Sequence, residues 1–344
     1  MNIVNSRGKE LNSTFEICGL KVEPGSRSKG ILLAGPYFYP PCNQKIRKYV
    51  RIPFTVIRGA YDGPILCITG GVHPTEYVNI AGAIRLSNEV DPKELKGTLI
   101  IVPVVNILGF KQREYVNPVD GLNLQGQWPG KDIGQGRGTI SHMILYKIFN
   151  ELISKADHYL DLHGSDVHET MLLMAAFHKT GNSEIDKKSE GMARATGAKY
   201  ISCGSSSPGA GTRCMAERGI ASAAFELGTG DRMLTEEVER SFQILINVMR
   251  YLKMIEGEPS KTEGQMIVPA VKTYVNHEGL FYPQVKLGDF VSEGQVLGEI
   301  KNLFGEVIET VHAPSNGTIT YWIHNPMVEA GQNVLTIKKE KERI

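Results

Sequence analysis

Pro64-Ile65-Leu66-Cys67-Ile68-Thr69-Gly70-Gly71-Val72-His73-Pro74-Thr75-Glu76 reads as a buried strand running into a loop and then a helix. Ile65 to Thr69 is mostly apolar with no alternation, as in a strand covered on both faces. Gly70 and Gly71 free the backbone where the strand ends. His73 and Glu76 follow three residues apart, at the mouth of a helix carrying Ile80, Ala83 and Ile84, and side chains at that spacing can point the same way. An imidazole and a carboxylate aimed at one point can bind zinc, with room for a third protein ligand and a water. The pair alone is a weak signal, because a surface histidine near a surface glutamate gives the same spacing.

Composition narrows the class. A chain of 344 residues is long enough for two domains, or for one large domain with an appendage. Apolar residues make up 41% and charged residues 22%, ordinary for a globular protein. A net charge of +1 gives no electrostatic pull toward nucleic acid or an anionic membrane. The apolar runs are strand-length, too short for a membrane span, and Met1 to Glu10 lacks the pattern of a signal peptide. The five cysteines (Cys18, Cys42, Cys67, Cys203, Cys214) are scattered without a CxxC spacing, which suggests reduced thiols in a cytoplasmic protein and makes cysteine a poor candidate metal ligand.

Outward from the opening stretch, residues 12–62 look β-rich, with Val50 to Ile57 a strand and Gly59 to Gly63 a turn. Downstream, Thr98 to Val105 is a second continuous apolar run, and strand, helix, strand makes a βαβ unit with parallel strands. Residues 106–138, rich in Gly, Asn, Pro and Gln, read as a long loop of the kind that carries function. Helical spacing returns over Thr139 to Lys155, with Ile140, Ile144, Ile148 and Leu152 on one stripe. Strands are predicted at His158 to His163, Met171 to Phe177 and Ala221 to Glu226, the last followed by a turn at Gly228-Thr229-Gly230. One helix capped by Asn182 or Ser183 ends near Gly197. Another starts at Thr235 and stops at Gly257 and Pro259, with Val238, Phe242, Leu245, Val248, Leu252 and Ile255 inward. Residues 260–344 lose helical periodicity and alternate short β-type runs with glycine turns. The division expected is a catalytic domain over 1–258 and an all-β domain over 259–344.

In an open parallel sheet, ligands bind beyond the carboxyl ends of the strands. His73 follows one predicted strand, His163 closes another and Glu226 closes a third. Each has a plainer account: His163 as a strand-end histidine, Glu226 as a partner for Arg213 or Arg232, Asp161 as a buried hydrogen-bonded carboxylate. Taken together they read as a metal site. His73, Glu76 and His163 form a His₂Glu set with an open fourth position, Glu226 is the candidate general base, and Asp161 could receive the second N–H of a ligand histidine.

The chain resembles the succinylglutamate desuccinylase and aspartoacylase branch of the zinc carboxypeptidase-like hydrolases. The resemblance rests on Gly63-Pro-Ile-Leu, His73xxGlu76, the Gly97-to-Asn106 run, Asp120-Gly-Leu-Asn-Leu, Trp128-Pro-Gly, Asp161-Leu-His163 and Phe225-Glu226-Leu-Gly. It implies a carboxypeptidase-like α/β/α sandwich, one Zn²⁺ per chain and hydrolysis of the amide bond of N-acylated amino acids. It also implies that the loop around Asn123, Gln125 and Trp128 binds substrate, and that Arg113 matches an arginine often found upstream of it. One departure stands out: where the family has Asn-Leu-Asn-Arg, this chain reads Asn123-Leu124-Gln125-Gly126. The bidentate guanidinium that grips a substrate carboxylate is missing. Arg213 is a second candidate to replace it.

The tail, with Leu287-Gly-Asp-Phe-Val-Ser-Glu-Gly-Gln and Ala313-Pro-Ser-Asn-Gly-Thr, looks like a lipoyl-type barrel-sandwich domain. At its hairpin turn, Asn302 to Gly305, only Lys301 is adjacent, so it is read as a cover for the site and not as a swinging arm. Gly204-Ser-Ser-Ser-Pro-Gly is no GxSxG elbow, and no phosphate- or dinucleotide-binding glycine motif occurs. The expectation is a zinc-dependent deacylase acting on a small-molecule substrate, without nucleic acid or membrane as partner and with homo-oligomerisation open. The alternatives are a metallocarboxypeptidase for short peptides, or a non-catalytic binding protein on the same fold.

Overall fold

The computed structural model describes residues 9–37, 48–132, 138–204, 207–230 and 232–340. Cys42, part of the expected loop before 138, and most of the Met1 to Glu10 stretch lie outside them; the four described cysteines are unpaired. The chain opens with β1 (Phe15–Ile17), β2 (Leu20–Val22), β3 (Ser26–Tyr37), β4 (Lys48–Arg58), β5 (Tyr61–Thr69), α1 (Tyr77–Glu89), β6 (Lys96–Val102) and α2 (Ile107–Gln112). It continues with α3 (Ile140–Glu151), β7 (His158–His163), β8 (Glu169–Phe177), α4 (Ser183–Ala195), β9 (Tyr200–Cys203), α5 (Gly211–Ala216), β10 (Ala221–Thr229) and α6 (Thr235–Tyr251). The remainder is all strand: β11 (Met266–Ile267), β12 (Ala270–Tyr274), β13 (Gly279–Pro283), β14 (Phe290–Val291), β15 (Val296–Lys301), β16 (Val307–His312), β17 (Gly317–Ile323), β18 (Met327–Val328) and β19 (Asn333–Lys339).

A mixed α/β architecture results. The main sheet runs β12-β19-β17-β8-β10-β7-β5-β6-β4-β3. Its centre, β10, β7, β5 and β6, is parallel, so the carboxyl ends of β5, β7 and β10 share one rim. Strand alternation explains the layers. Leu66, Ile68, Leu160, Leu162 and Phe225 pack with α1, α4 and α6 in one core. Cys67 and Tyr159 point the other way, into a second core with α3 and α5. Helices therefore cover both faces, as the unbroken apolar runs of the central strands require.

Several boundaries differ from expectation, each for a local reason. β6 stops at Val102 rather than Val105, because Pro103 has no N–H to continue a ladder. The stretch read as loop contains α2, capped by Asn106, whose Oδ1 accepts from the Gly109 amide at 3.0 Å. α2, β9 and α5, at four to six residues each, are too short to show a period. β10 runs on to Thr229 through a bulge between Glu226 and Gly228, where a turn is predicted. α6 ends at Tyr251, short of Gly257.

The C-terminal strands do not close into a barrel among the described residues. They form two sheets around a core that includes Val275, Phe281, Leu297, Ile300, Leu335 and Ile337. One is the four-stranded sheet β16-β15-β13-β18; the other continues the main sheet, since β17 pairs antiparallel with β8. A change of sequence texture marks a change of local period and carries no information on sheet continuity. The hairpin tip between β15 and β16 exposes Leu303 and Phe304, while Lys301 lies against the Tyr282 ring.

Candidate metal centre and its cavity

At the end of β5 the chain turns through Gly71, whose φ of +58° is left-handed, with Val104 backbone so close that a Cβ would sit 3.1 Å from it. The turn delivers buried His73. Glu76 is the N-cap of α1, yet its side chain caps nothing. Instead its carboxylate lies between two imidazoles: Oε1 is 2.7 Å from His73 Nδ1 and Oε2 is 3.3 Å from His163 Nδ1. The three ligand atoms lie within 4.8 Å of one another, and all three residues are buried. Glu76 Oε2 is also buried without a hydrogen-bond partner. A carboxylate oxygen in that state, facing an imidazole nitrogen, suits a cation. The donor set suits zinc, for which tetrahedral ligands with bonds of about 2.0–2.1 Å lie roughly 3.3 Å apart.

The outer nitrogens of both histidines are engaged, which leaves their Nδ1 atoms to face the carboxylate. His73 Nε2 donates to Asn123 Oδ1 at 3.1 Å, and the Tyr115 ring stacks on the imidazole at 4.2 Å, tilted by 14°. His163 Nε2 is 3.2 Å from Asp161 Oδ2 and 2.9 Å from the Gln125 amide. Gln125 Oε1 is buried without a partner. Turning the amide over puts that oxygen against the Nε2–H, since the two amide ends are assigned from their partners. Asp161 itself is fixed from behind: Oδ1 accepts from Thr69 Oγ1 at 3.0 Å, and Thr69 bonds the Tyr159 hydroxyl at 2.7 Å. Gly211 leaves room for it, because a Cβ there would sit 2.5 Å from Asp161 Oδ2.

Burial would push the His163 imidazole down, but Asp161 and Glu76 on its two sides outweigh burial and hold it well above its ordinary range. Burial likewise opposes the charge on Glu76, and the two imidazoles win, lowering its carboxyl. Glu226 lies in register beside His163 on the neighbouring parallel strand. Burial pushes its carboxyl up to about 7, with Glu76 and Glu169 adding to the effect and the imidazoles opposing it. A carboxyl poised there can take and return a proton near neutral pH.

These groups line a cavity of about 630 Å³ between the strand-end rim and the C-terminal sheet. His73, Glu76, Gln125, His163 and Glu226 lie on its wall. The other residues singled out in the sequence do not. Asn123 stands behind His73. Trp128 is buried edge-on to Tyr159 at 6.3 Å. Arg113, left-handed at φ 60°, is exposed after α2, and Arg213 pairs with Glu217 at 2.8 Å. Among the tyrosines of the C-terminal strands, Tyr274 and Tyr282 are exposed and Tyr321 lies on the wall, donating to Glu169 Oε1 at 2.8 Å.

Sequence reasoning missed three features. Tyr115 sits in the long loop with nothing to mark it as a stacking partner. Asn79, fully buried on α1, bonds the carbonyls of His163 and Leu227, and Ser241 Oγ holds its own oxygen at 2.7 Å. One amide thereby ties together the ends of the two strands that carry His163 and Glu226, and an asparagine on the apolar face of a helix was the available signal. Lys338, 2% exposed, also lines the cavity, hidden in sequence among the charges of the tail.

Fold and site together define an α/β protein with a candidate metal centre beside a poised carboxylate. The chain belongs to the succinylglutamate desuccinylase/aspartoacylase family, whose catalytic-domain model matches residues 62–252. It is similar to the N-alpha-acetyl-L-2,4-diaminobutyric acid deacetylase of Halomonas elongata, 28% identical over 261 residues that cover 74% of this chain and 75% of the relative. Among solved structures, a succinylglutamate desuccinylase/aspartoacylase from Rhodobacter sphaeroides matches with a TM-score of 0.81 at 25% identity, covering 95% of this chain and 99% of that one. The product-bound ectoine utilization protein EutE (DoeB) of Ruegeria pomeroyi shares the fold, with a TM-score of 0.83 at 22% identity over 95% and 98% of the two chains. The Halomonas relative is by name a deacetylase, and the family is named for a desuccinylase and an aspartoacylase, enzymes that hydrolyse amide bonds. No helix among the described residues is long and apolar enough to cross a membrane.

Proposed function

We propose that this chain is a zinc-dependent amidohydrolase, with one zinc per chain, that removes the acyl group from an N-acyl amino acid or a related small amide. The observation that carries the reading is the convergence of three buried ligand atoms within 4.8 Å on the wall of a cavity that also holds Glu226. His73, Glu76 and His163 would hold the metal. Zinc, when bound, supplies a Lewis acid that acidifies water and polarises a carbonyl. Glu226 takes the proton from the attacking water and returns it to the leaving nitrogen, so that amine and carboxylic acid leave as separate products. Asp161 and Asn123 keep the proton on the outer nitrogen of each ligand histidine. Gln125, on the cavity wall, contacts substrate, and Trp128 shapes the loop behind it. Arg113 and Arg213 do not line the cavity and would reach substrate only after a rearrangement of their segments.

Two coarser proposals accompany this one. The chain divides into a catalytic part over 1–258 and an all-β barrel-sandwich part over 259–344, which the separate C-terminal core supports. The four cysteines among the described residues form no disulfide with one another, which supports a cytoplasmic setting.

The test is a substrate screen of N-acetyl-L-2,4-diaminobutyrate, N-succinyl-L-glutamate, N-acyl-L-aspartate and dipeptides, with and without chelator. Turnover of an acyl amino acid that chelation abolishes and added zinc restores is expected. Preferential cleavage of dipeptides would move the assignment to a carboxypeptidase. A purified chain with less than about half a zinc, and no gain in activity on adding it, would leave a binding protein.

A further inference from the structure

A deacylase for acyl amino acids needs a cationic partner for the substrate carboxylate, and Gly126 stands where the arginine that supplies it is expected. Neither Arg113 nor Arg213 lines the cavity. Two lysines do, and both come from the C-terminal sheet: Lys272 on β12, which is exposed, and Lys338 on β19, which is not. Period-2 alternation puts Lys338 there. Leu335 and Ile337 of β19 enter the C-terminal core, while Thr336 and Lys338 face the cavity.

The surroundings of Lys338 are unusual for a buried lysine. Its Nζ donates to Ser202 Oγ on β9, and among the described residues no carboxylate lies within ion-pair distance of it. An ammonium carries three donors, and one neutral hydroxyl is poor compensation for burying its charge. Burial pulls its pKa down to about 8, with Glu226 opposing, so the group is mostly charged at neutral pH and shares the cavity's field with the candidate base. A buried cation with donors to spare, in a cavity with a candidate metal centre, is built to receive an anion from outside.

We propose that Lys338 anchors the carboxylate of the acyl amino acid, so that the C-terminal sheet supplies the cation missing at Gly126. The inference rests on the deacylase reading above, and its test separates the two. Binding of N-acetyl-L-2,4-diaminobutyrate and of its carboxamide is measured by calorimetry on the full chain, wild type and Lys338→Met, alongside zinc content and steady-state kinetics for both compounds.

The wild-type chain should prefer the acid. Lys338→Met should weaken binding of the acid, and raise its KM, by at least about tenfold, while the carboxamide and the zinc content stay unchanged. Lys338→Arg should recover part of the preference. No preference for the acid in the wild type, or a preference that survives in Lys338→Met, overturns the inference. So does an equal fall of kcat on acid and carboxamide with unchanged binding, which would make Lys338 a partner of Glu226 alone. Binding that behaves as expected in a chain that hydrolyses nothing would sink the deacylase reading and leave the anchor standing.

Discussion

Two walls face each other across the cavity, and they are made differently. The rim formed by the ends of β5, β7 and β10 carries His73, Glu76, His163 and Glu226, each fixed by a neighbour one turn or one strand away. The opposite wall carries Lys272, Tyr321, Thr336 and Lys338 from β12, β17 and β19, joined to the rest of the sheet through the β17–β8 ladder. The rim concentrates the groups that could hold a metal ion and the carboxylate proposed to move protons. The far wall carries the lysine proposed above to hold the substrate carboxylate. With the proposed anchor on strands distant in sequence from those of the rim, the groups for chemistry and the group for substrate grip are delivered separately, so Gly126 does not by itself leave the cavity without a cation.

The largest effect should come from breaking the rim. His163→Ala is expected to lose zinc and with it all turnover above background, as measured by metal analysis and assay on the same sample, while the C-terminal sheet keeps its fold. Stoichiometric zinc in that variant would dismiss the ligand assignment. Glu226→Gln, which keeps size and shape, should retain zinc and lower kcat by about 10²–10⁴-fold; a rate near wild type would take the base assignment away. Asp161→Asn probes the layer behind the rim. A weakening of zinc affinity by about 10–100-fold in a competitive chelator titration is expected, with the substrate preference unchanged; unaltered affinity would show that His163 needs no such support.

The smallest effect belongs to the far side. Glu309 on β16 accepts from the backbone amides of Asn276 and His277 and from the Asn276 side chain, at 2.9–3.1 Å. Burial raises its carboxyl, but these donors outweigh burial and the net direction is down. Its stabilisation is therefore complete above the ordinary carboxylate value of ~4.3 and is lost as pH falls through the lower folded value. Glu309→Gln should cost about 1–2 kcal/mol at neutral pH and flatten the acid limb of the stability curve, with zinc content untouched. An unchanged acid limb in denaturation curves would show that the cluster does not hold the C-terminal sheets.

Much of the rim was legible beforehand because local chemistry fixes it. An unbroken apolar run needs cover on both faces, glycines end it, and whatever polar residues follow are presented at the sheet's edge. His73, Glu76, His163 and Glu226 were placed at that edge this way, and of the two candidates for the cap of the next helix, Asn182 and Ser183, it is Asn182 whose Oδ1 accepts from the Glu184 amide at 3.1 Å. Asn123 was legible as part of the loop, but as a contact for substrate; its bond to His73 depends on how that loop lies over the rim.

What the sequence determined by itself was the pattern inside each element: which strands are buried, where the helices start, and which residues stand at the strand ends. Only the tertiary structure decided what those faces meet. The pairing of β17 with β8, the reach of Asn79 to two strand ends, and the meeting of Lys338 with Ser202, 136 residues away, are long-range choices. Periodicity tells a side chain which way to point relative to its own backbone, and a lysine in Thr336-Ile337-Lys338-Lys339 looks solvated until a distant strand of the chain is brought beside it. Whether a charge ends in water or in a cavity depends on which distant strand closes over it, and no local rule encodes that.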